Sequence, residues 1–298
     1  MKKYLPLLCL SFLLIQCQKG PAPTMSPKAD WRLITKIAPA IDESSGLAMA
    51  NGQLWTHNDS GDGPFLYQIG QDEEKLIRKV FVANAQSVDW EELAVDSTHL
   101  YVGDFGNNDG DRKDLRIYKI ALAALGQDSV QAETIRFRYP DQKRFDLGAY
   151  KHNHDCEAMI AKGDSLYLFS KNHQDKGCKL YSLPKMAGAY TAQLVDTFNT
   201  KGLITAAAYD ASKDLVCLVG YEFSKGRHNP YFPFAWLLSD VDRTGFFNAG
   251  SRRLSLPAHH QTEGIESIGG GRFLISTEEK KGTKEAYLFE FNANAYLE

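Results

Sequence analysis

Apolar positions along this chain fall in short β-rich runs separated by turn residues, and five segments repeat one pattern. They are Glu43-Ser-Ser-Gly-Leu-Ala48, Asp89-Trp-Glu-Glu-Leu-Ala94, Asp155-Cys-Glu-Ala-Met-Ile160, Ile204-Thr-Ala-Ala-Ala-Tyr209 and Gln261-Thr-Glu-Gly-Ile-Glu266. A second apolar run follows each, at 54–57, 100–103, 166–169, 215–218 and 273–276, across turns such as Asn51-Gly52 and Gly163-Asp164 that read as hairpins. Third strands are predicted over 65–69, 115–120, 179–183, 234–238 and 286–291, and fourth strands over 78–82, 134–139, 193–198 and 253–256. The fifth unit ends without a fourth strand. Residues 31–37, ahead of the first repeat, supply one.

A strand from the N-terminal end completing the last unit is how a β-propeller closes its ring. The units need that closure because each buries its faces only against its neighbours. The pattern therefore predicts an all-β fold, a five-bladed β-propeller. The alternative of six blades would need one hidden between Asp104 and His154. A third strand, a helical-looking turn at 121–126, a fourth strand and a loop already occupy that stretch.

The chain ends add an address. Lys2 and Lys3 precede an apolar stretch at 5–15, too short to span a bilayer, so residues 1–16 read as a signal peptide. Leu14-Ile15-Gln16-Cys17 resembles a bacterial lipobox, with Gln16 where a small residue is usual. The resemblance implies acylation of Cys17 and a lipid-bilayer anchor in the bacterial cell envelope; cleavage elsewhere as an ordinary secretory signal is the plainer reading. Residues 17–28, rich in Pro, form a tether, and 29–298 form one propeller domain, expected to be a monomer. A net charge of −3 gives no basis for binding a nucleic acid polymer. Cys156, Cys178 and Cys217 allow at most one disulfide, and whether Cys156 and Cys178 pair is open; without a CxxC pair, zinc has no support.

First strands line a propeller's channel, so the aligned repeats set Ser45, Glu91, Glu157, Ala206 and Glu263 at one level. Three carboxylates there must take up protons or hold a cation. An all-oxygen donor set favours Ca²⁺ over zinc or copper, against the plainer reading that the acids bond backbone amides. Second-strand ends gather at one mouth, where His57, Asp59, Asp104, Asn107, Lys171 and Glu278 are candidates to face a ligand. Turn chemistry accounts for Asn58, Gly61 and Asn108.

In their order, Glu43-Ser-Ser45-Gly-Leu, Glu91-Glu-Leu-Ala-Val, Glu157-Ala and Glu263-Gly-Ile-Glu266 resemble the calcium-activated nucleotidases, or apyrases, which are five-bladed propellers. That resemblance implies a central calcium on Ser45, Glu91, Glu157 and Glu263, and hydrolysis of nucleoside di- and triphosphates at one mouth. Ala206 departs from it, standing where the family has Ser, and Lys171 is its one candidate for a phosphate-binding base. The chain also resembles bacterial propeller lipoproteins with NDSG, DWE and GDFGNN-type motifs, from which no activity follows. The leading expectation is a calcium-binding lipoprotein that hydrolyses phosphate-containing substrates, with Asp59 or Asp104 as general base. A non-enzymatic binding propeller with a structural cation is the alternative, and a glycan-active propeller using central carboxylates is a third.

Overall fold

The structure, a computed structural model, describes residues 27–41, 43–59, 61–224, 226, 231–241, 246–247, 250–257, 260–278 and 285–297. The expected signal peptide and Cys17 lie outside the described residues.

Strand β1 (Trp31–Lys36) precedes the first repeat. Blade one is β2 (Ser44–Ala50), β3 (Gln53–Asn58), β4 (Phe65–Ile69) and β5 (Leu76–Val82). Blade two is β6 (Trp90–Val95), β7 (His99–Asp104), β8 (Arg116–Ala121) and, after the short β9 (Ser129–Val130), β10 (Glu133–Arg138). Blade three is β11 (Cys156–Lys162), β12 (Ser165–Ser170), β13 (Cys178–Pro184) and, after β14 (Gly188–Thr191), β15 (Gln193–Phe198). Blade four is β16 (Leu203–Asp210), β17 (Leu215–Phe223), β18 (Tyr231–Ser239) and β19 (Ser251–Ser255). Blade five is β20 (Thr262–Gly269), β21 (Arg272–Thr277) and β22 (Tyr287–Asn292), with β1 antiparallel to β22 as its outer strand. The chain is a five-bladed β-propeller closed by its N-terminal strand, and the stretch between Asp104 and His154 holds no sixth blade.

Two strands were not legible in the repeats. β9 adds parallel to β5 of the preceding blade, and β14 adds parallel to β10, so each outer connection staples one blade to the next. Pro27 and Lys28, at the end of the expected tether, pair with Ser255 of β19.

Five buried apolar clusters occupy the five junctions between blades, one per junction. The junction of blades one and two packs Trp55, Leu66 and Val80 against Trp90, Leu100 and Tyr118. Trp31 stacks on Phe289 with ring centroids 4.2 Å apart, fixing the clasp strand to blade five. Inner strands are buried along nearly their whole length, whereas β5 buries Val80 and Val82 and exposes Lys79 and Phe81. That contrast follows from position, since an inner strand has neighbours on both faces and an outer strand has one. Cys156, Cys178 and Cys217 are buried free thiols, so Cys156 and Cys178 do not pair.

Around the axis the inner backbones approach so closely that side chains must shrink. A Cβ added to Gly46 of β2 would lie 2.2 Å from the Leu93 nitrogen and 2.7 Å from the Glu92 carbonyl carbon of β6. Neither is a flexible side-chain end that can swing away. Gly46→Ala is therefore expected to destabilise the protein by about 1–3 kcal/mol, the usual cost of overpacking a close-packed interior. Urea unfolding monitored by tryptophan fluorescence checks this; an unchanged midpoint would contradict it.

Candidate functional site

Every inner strand carries a one-residue bulge at its entry, where the register to the second strand slips. The slips fall between Ser44 and Leu47, Trp90 and Glu92, Cys156 and Ala158, Ile204 and Ala206, and Thr262 and Gly264. The equivalent bulged residues are thus Ser45, Glu91, Glu157, Thr205 and Glu263. This corrects the sequence alignment, which put Ala206 at that level. The slip is one residue, and Thr205 is the fifth member.

The two hydroxyls of the ring act as pins between blades. Ser45 Oγ donates to the Glu91 carbonyl at 2.6 Å, and Thr205 Oγ1 donates to the Thr262 carbonyl at 2.7 Å. Ser45, expected among the calcium ligands, is engaged in that bond. The three carboxylates face a cavity of about 730 Å³ at this mouth.

A repeated main-chain bond positions the second-strand residues that also face it. Asp59, Lys171 and Glu278 each follow a second strand, and each donates its N–H to the residue just ahead of the first strand: to the Glu43, Asp155 and Gln261 carbonyls at 3.1, 2.9 and 3.0 Å. Tyr221 holds this place in blade four and lines the cavity. In blade two the place belongs to Phe105, which is buried; a Cβ on Gly103 would meet its ring at 2.1 Å.

Three expected residues lie elsewhere. His57 is fully buried behind the wall, edge-on to Trp90, with Nδ1 bonded to the Asn58 carbonyl at 2.8 Å. Burial holds its imidazole neutral, with the pKa lowered to about 4. Asp104 sits one residue before the cavity-facing place and turns the other way. It meets Arg112 at 2.9 Å and Arg116 at 3.5 Å and accepts the Asp89 N–H at 3.1 Å. Asn107 is buried, donating Nδ2 to the His154 carbonyl at 2.9 Å. These three are framework, not cavity wall.

Asp89, just ahead of β6, completes the acid side. Carboxylate oxygens of Asp59, Asp89 and Glu91 lie within 4.8 Å of one another. Two unit charges at about 4 Å repel by about 4 kcal/mol at an effective dielectric of about 20. Burial, then repulsion from Asp89 and Glu263, pushes Asp59 up to about 8; burial, then Asp155, pushes Asp89 up to about 6. Glu91 is raised well above its usual range by burial, Asp59 and Glu157. Gly106 makes the space for these acids, because a Cβ there would sit 2.1 Å from Glu91 Oε1 and 2.4 Å from Asp89 Oδ2.

Blade three adds a cationic wall. Lys171 Nζ is buried against Glu157 Oε1 in a very short contact, while Glu157 Oε2 is buried with no hydrogen-bond partner. Burial alone would lower the Lys171 pKa, but Glu157, Tyr221 and Glu263 raise it, so the ammonium stays charged. His173 and Lys176 stand on the same wall. Below the cavity, Glu92 reaches across the channel; its Oε2 accepts the Ala207 N–H and its Oε1 the Leu93 N–H, both at 3.0 Å. The bulge explains how consecutive residues Glu91 and Glu92 both serve the axis.

No protein-family model matches the chain, and no curated protein matches it. Among solved structures, a chain in a crystal structure of the mitotic checkpoint complex aligns with 96% of this chain and 98% of its own, at 12% identity and a TM-score of 0.38. Likeness at that level carries no statement about function.

The raised carboxyls give a pH signature. A raised folded-state pKa contributes stability that is complete below the unfolded value, near 4 for a carboxyl, and lost as pH climbs through the folded value. His57 and His154, with pKa values lowered to about 4, act in the opposite sense only through the protons their unfolded imidazoles still carry, about half at pH 6.5 and few by about pH 7.5. Between about pH 6.5 and about pH 8 the acids are therefore expected to dominate, and Tm in chelator should fall. A flat or rising Tm across that window would contradict the assignment.

Proposed function

We propose that this chain is a calcium-binding β-propeller, held in the cell envelope through Cys17, that hydrolyses small phosphate-containing substrates at its acid-lined mouth. The observation that carries the reading is the meeting of Asp59, Asp89 and Glu91 at a cavity whose blade-three wall bears Lys171 and Lys176. The donor set fits a hard divalent cation. All three groups offer oxygen, Asp59 Oδ1 is buried without a hydrogen-bond partner, and Gly106 keeps their space open. Asp59, Asp89 and Glu91 would hold the ion, a set that shares only Glu91 with the one the apyrase resemblance implies. When bound, the cation supplies a fixed positive charge that orients and polarises an anionic substrate.

The chain's own residues supply the rest. Lys171, kept charged by Glu157, and Lys176 attract phosphate oxygens from the blade-three wall. The depth of the cavity limits water around the bound group and strengthens each of these interactions. A non-enzymatic binding propeller is favoured by one feature, the aromatic rim of Tyr150 and Phe223, which are 61% and 47% exposed at this mouth. Turnover separates the two readings.

Calorimetric titration with Ca²⁺ is expected to give one site per chain. Asp89→Asn and Glu91→Gln should each weaken it at least about tenfold, which is about 1.4 kcal/mol. Phosphate release from a panel of nucleotides and phosphomonoesters should stop in chelator. Calcium binding without release from any of them would favour the binding propeller, and no calcium binding at all would overturn both.

A further inference from the structure

Beyond the acid cluster, the cavity holds an aspartate–histidine pair. His173 Nε2 lies 2.8 Å from Asp155 Oδ2. Both residues are buried, yet His173 forms part of the cavity wall. Asp155 is fixed on every side. Its Oδ1 accepts the N–H of Asn107 at 2.8 Å and of Cys156 at 3.0 Å, and its carbonyl accepts the Lys171 N–H at 2.9 Å. Those bonds span blades two and three, so the carboxylate has one orientation, and Oδ2 remains for the imidazole.

The chemistry of the pair then fixes the tautomer. An ionised carboxylate only accepts, so Nε2 must carry the proton, and in the neutral ring Nδ1 keeps a lone pair. Nδ1 makes no hydrogen bond among the described residues and is not among the buried unpartnered atoms, so it is open to the cavity. Tyr150 packs against the ring at 4.9 Å between centroids, steadying it from the rim. A carboxylate-oriented imidazole with a bare nitrogen facing a ligand cavity is the arrangement general-base catalysis needs. Neither carboxylate first considered for that role matches it: Asp104 is bound to two arginines, and Asp59 belongs to the acid cluster.

We propose that His173 is the proton acceptor of this cavity and that Asp155 is its positioning residue. The catalytic use of the pair rests on the hydrolytic reading above; the assignment of Nδ1 as an open, basic nitrogen does not. In hydrolysis of a phosphate ester, the water oxygen bonds to phosphorus as one water proton passes to Nδ1. The phosphorus–oxygen ester bond breaks with its electron pair going to the leaving oxygen. The imidazolium then returns the proton to that oxygen, restoring neutral His173.

The test uses the full-length protein in two arms. In the first, diethyl pyrocarbonate, which acylates unprotonated imidazole nitrogens, is followed residue by residue by peptide mass spectrometry. His173 is expected to be modified faster than His57 and His152. In Asp155→Asn the rate at His173 should fall, because an amide that can donate to Nε2 lets the proton move to Nδ1. An unmodified His173, or an unchanged rate in Asp155→Asn, would overturn the assignment. In the second arm, His173→Gln should lower kcat for phosphate release by about 10²–10⁴-fold with KM little changed, the range expected for loss of a general base. Undiminished kcat in that variant would overturn the catalytic role. A wild-type protein that releases no phosphate removes the hydrolytic reading, while the labelling arm still decides whether Nδ1 is the open base.

Discussion

Five inner strands converge on one axis, and each takes in one extra residue at the place where they come nearest. A bulge bends its strand and lets neighbouring side chains depart from strict alternation. Here it aims Ser45, Glu91, Glu157, Thr205 and Glu263 toward one mouth while the backbones below stay in near contact, as the closeness of Gly46 to Leu93 shows. The cavity, its acids and the Glu92 carboxylate below them all depend on that repeated slip. Its energetic support is spread around the ring, in five apolar clusters that lock each blade to the next and in a clasp that leaves no blade half-covered.

The ring is regular in backbone and uneven in chemistry. Blades one and four contribute hydroxyls that bond the neighbouring inner strand, which ties the ring together without adding charge. Blades two, three and five contribute carboxylates. The cavity-facing place at the end of the second strands breaks the symmetry further: aspartate in blade one, lysine in blade three, tyrosine in blade four and glutamate in blade five. Acid therefore accumulates where blades one and two meet, and positive charge gathers on blade three. A cavity divided this way sets oxygen donors beside positive charge, the complementarity on which the proposed cation-assisted phosphate chemistry rests.

Much of this was readable from the repeats, because burial between neighbours forces each blade to keep its apolar runs and hairpin turns. Blade number, strand order and the clasp followed from that, as did the convergence of Glu91, Glu157 and Glu263. The slip at blade four was hidden because Thr205 is followed by three alanines, which carry no register signal. β9 and β14 were missed because strands added parallel at a blade's outer edge have no counterpart in the other repeats. His57 and Asp104 were misplaced because proximity to a strand end does not say which way a side chain turns. Asp89 and Asp155 did leave a trace. In the aligned repeats the column ahead of the first strand reads Glu43, Asp89, Asp155 and Gln261, polar in four blades of five.

The central claim is that Asp59, Asp89 and Glu91 together hold one divalent cation. Terbium, which takes calcium's oxygen ligands and scatters X-rays anomalously, tests it in a crystal of the protein. The account predicts a single strong anomalous peak coordinated by those three side chains, with Lys171 still on Glu157. A peak centred instead on Ser45, Glu157 and Glu263, or no peak at this mouth, would contradict it.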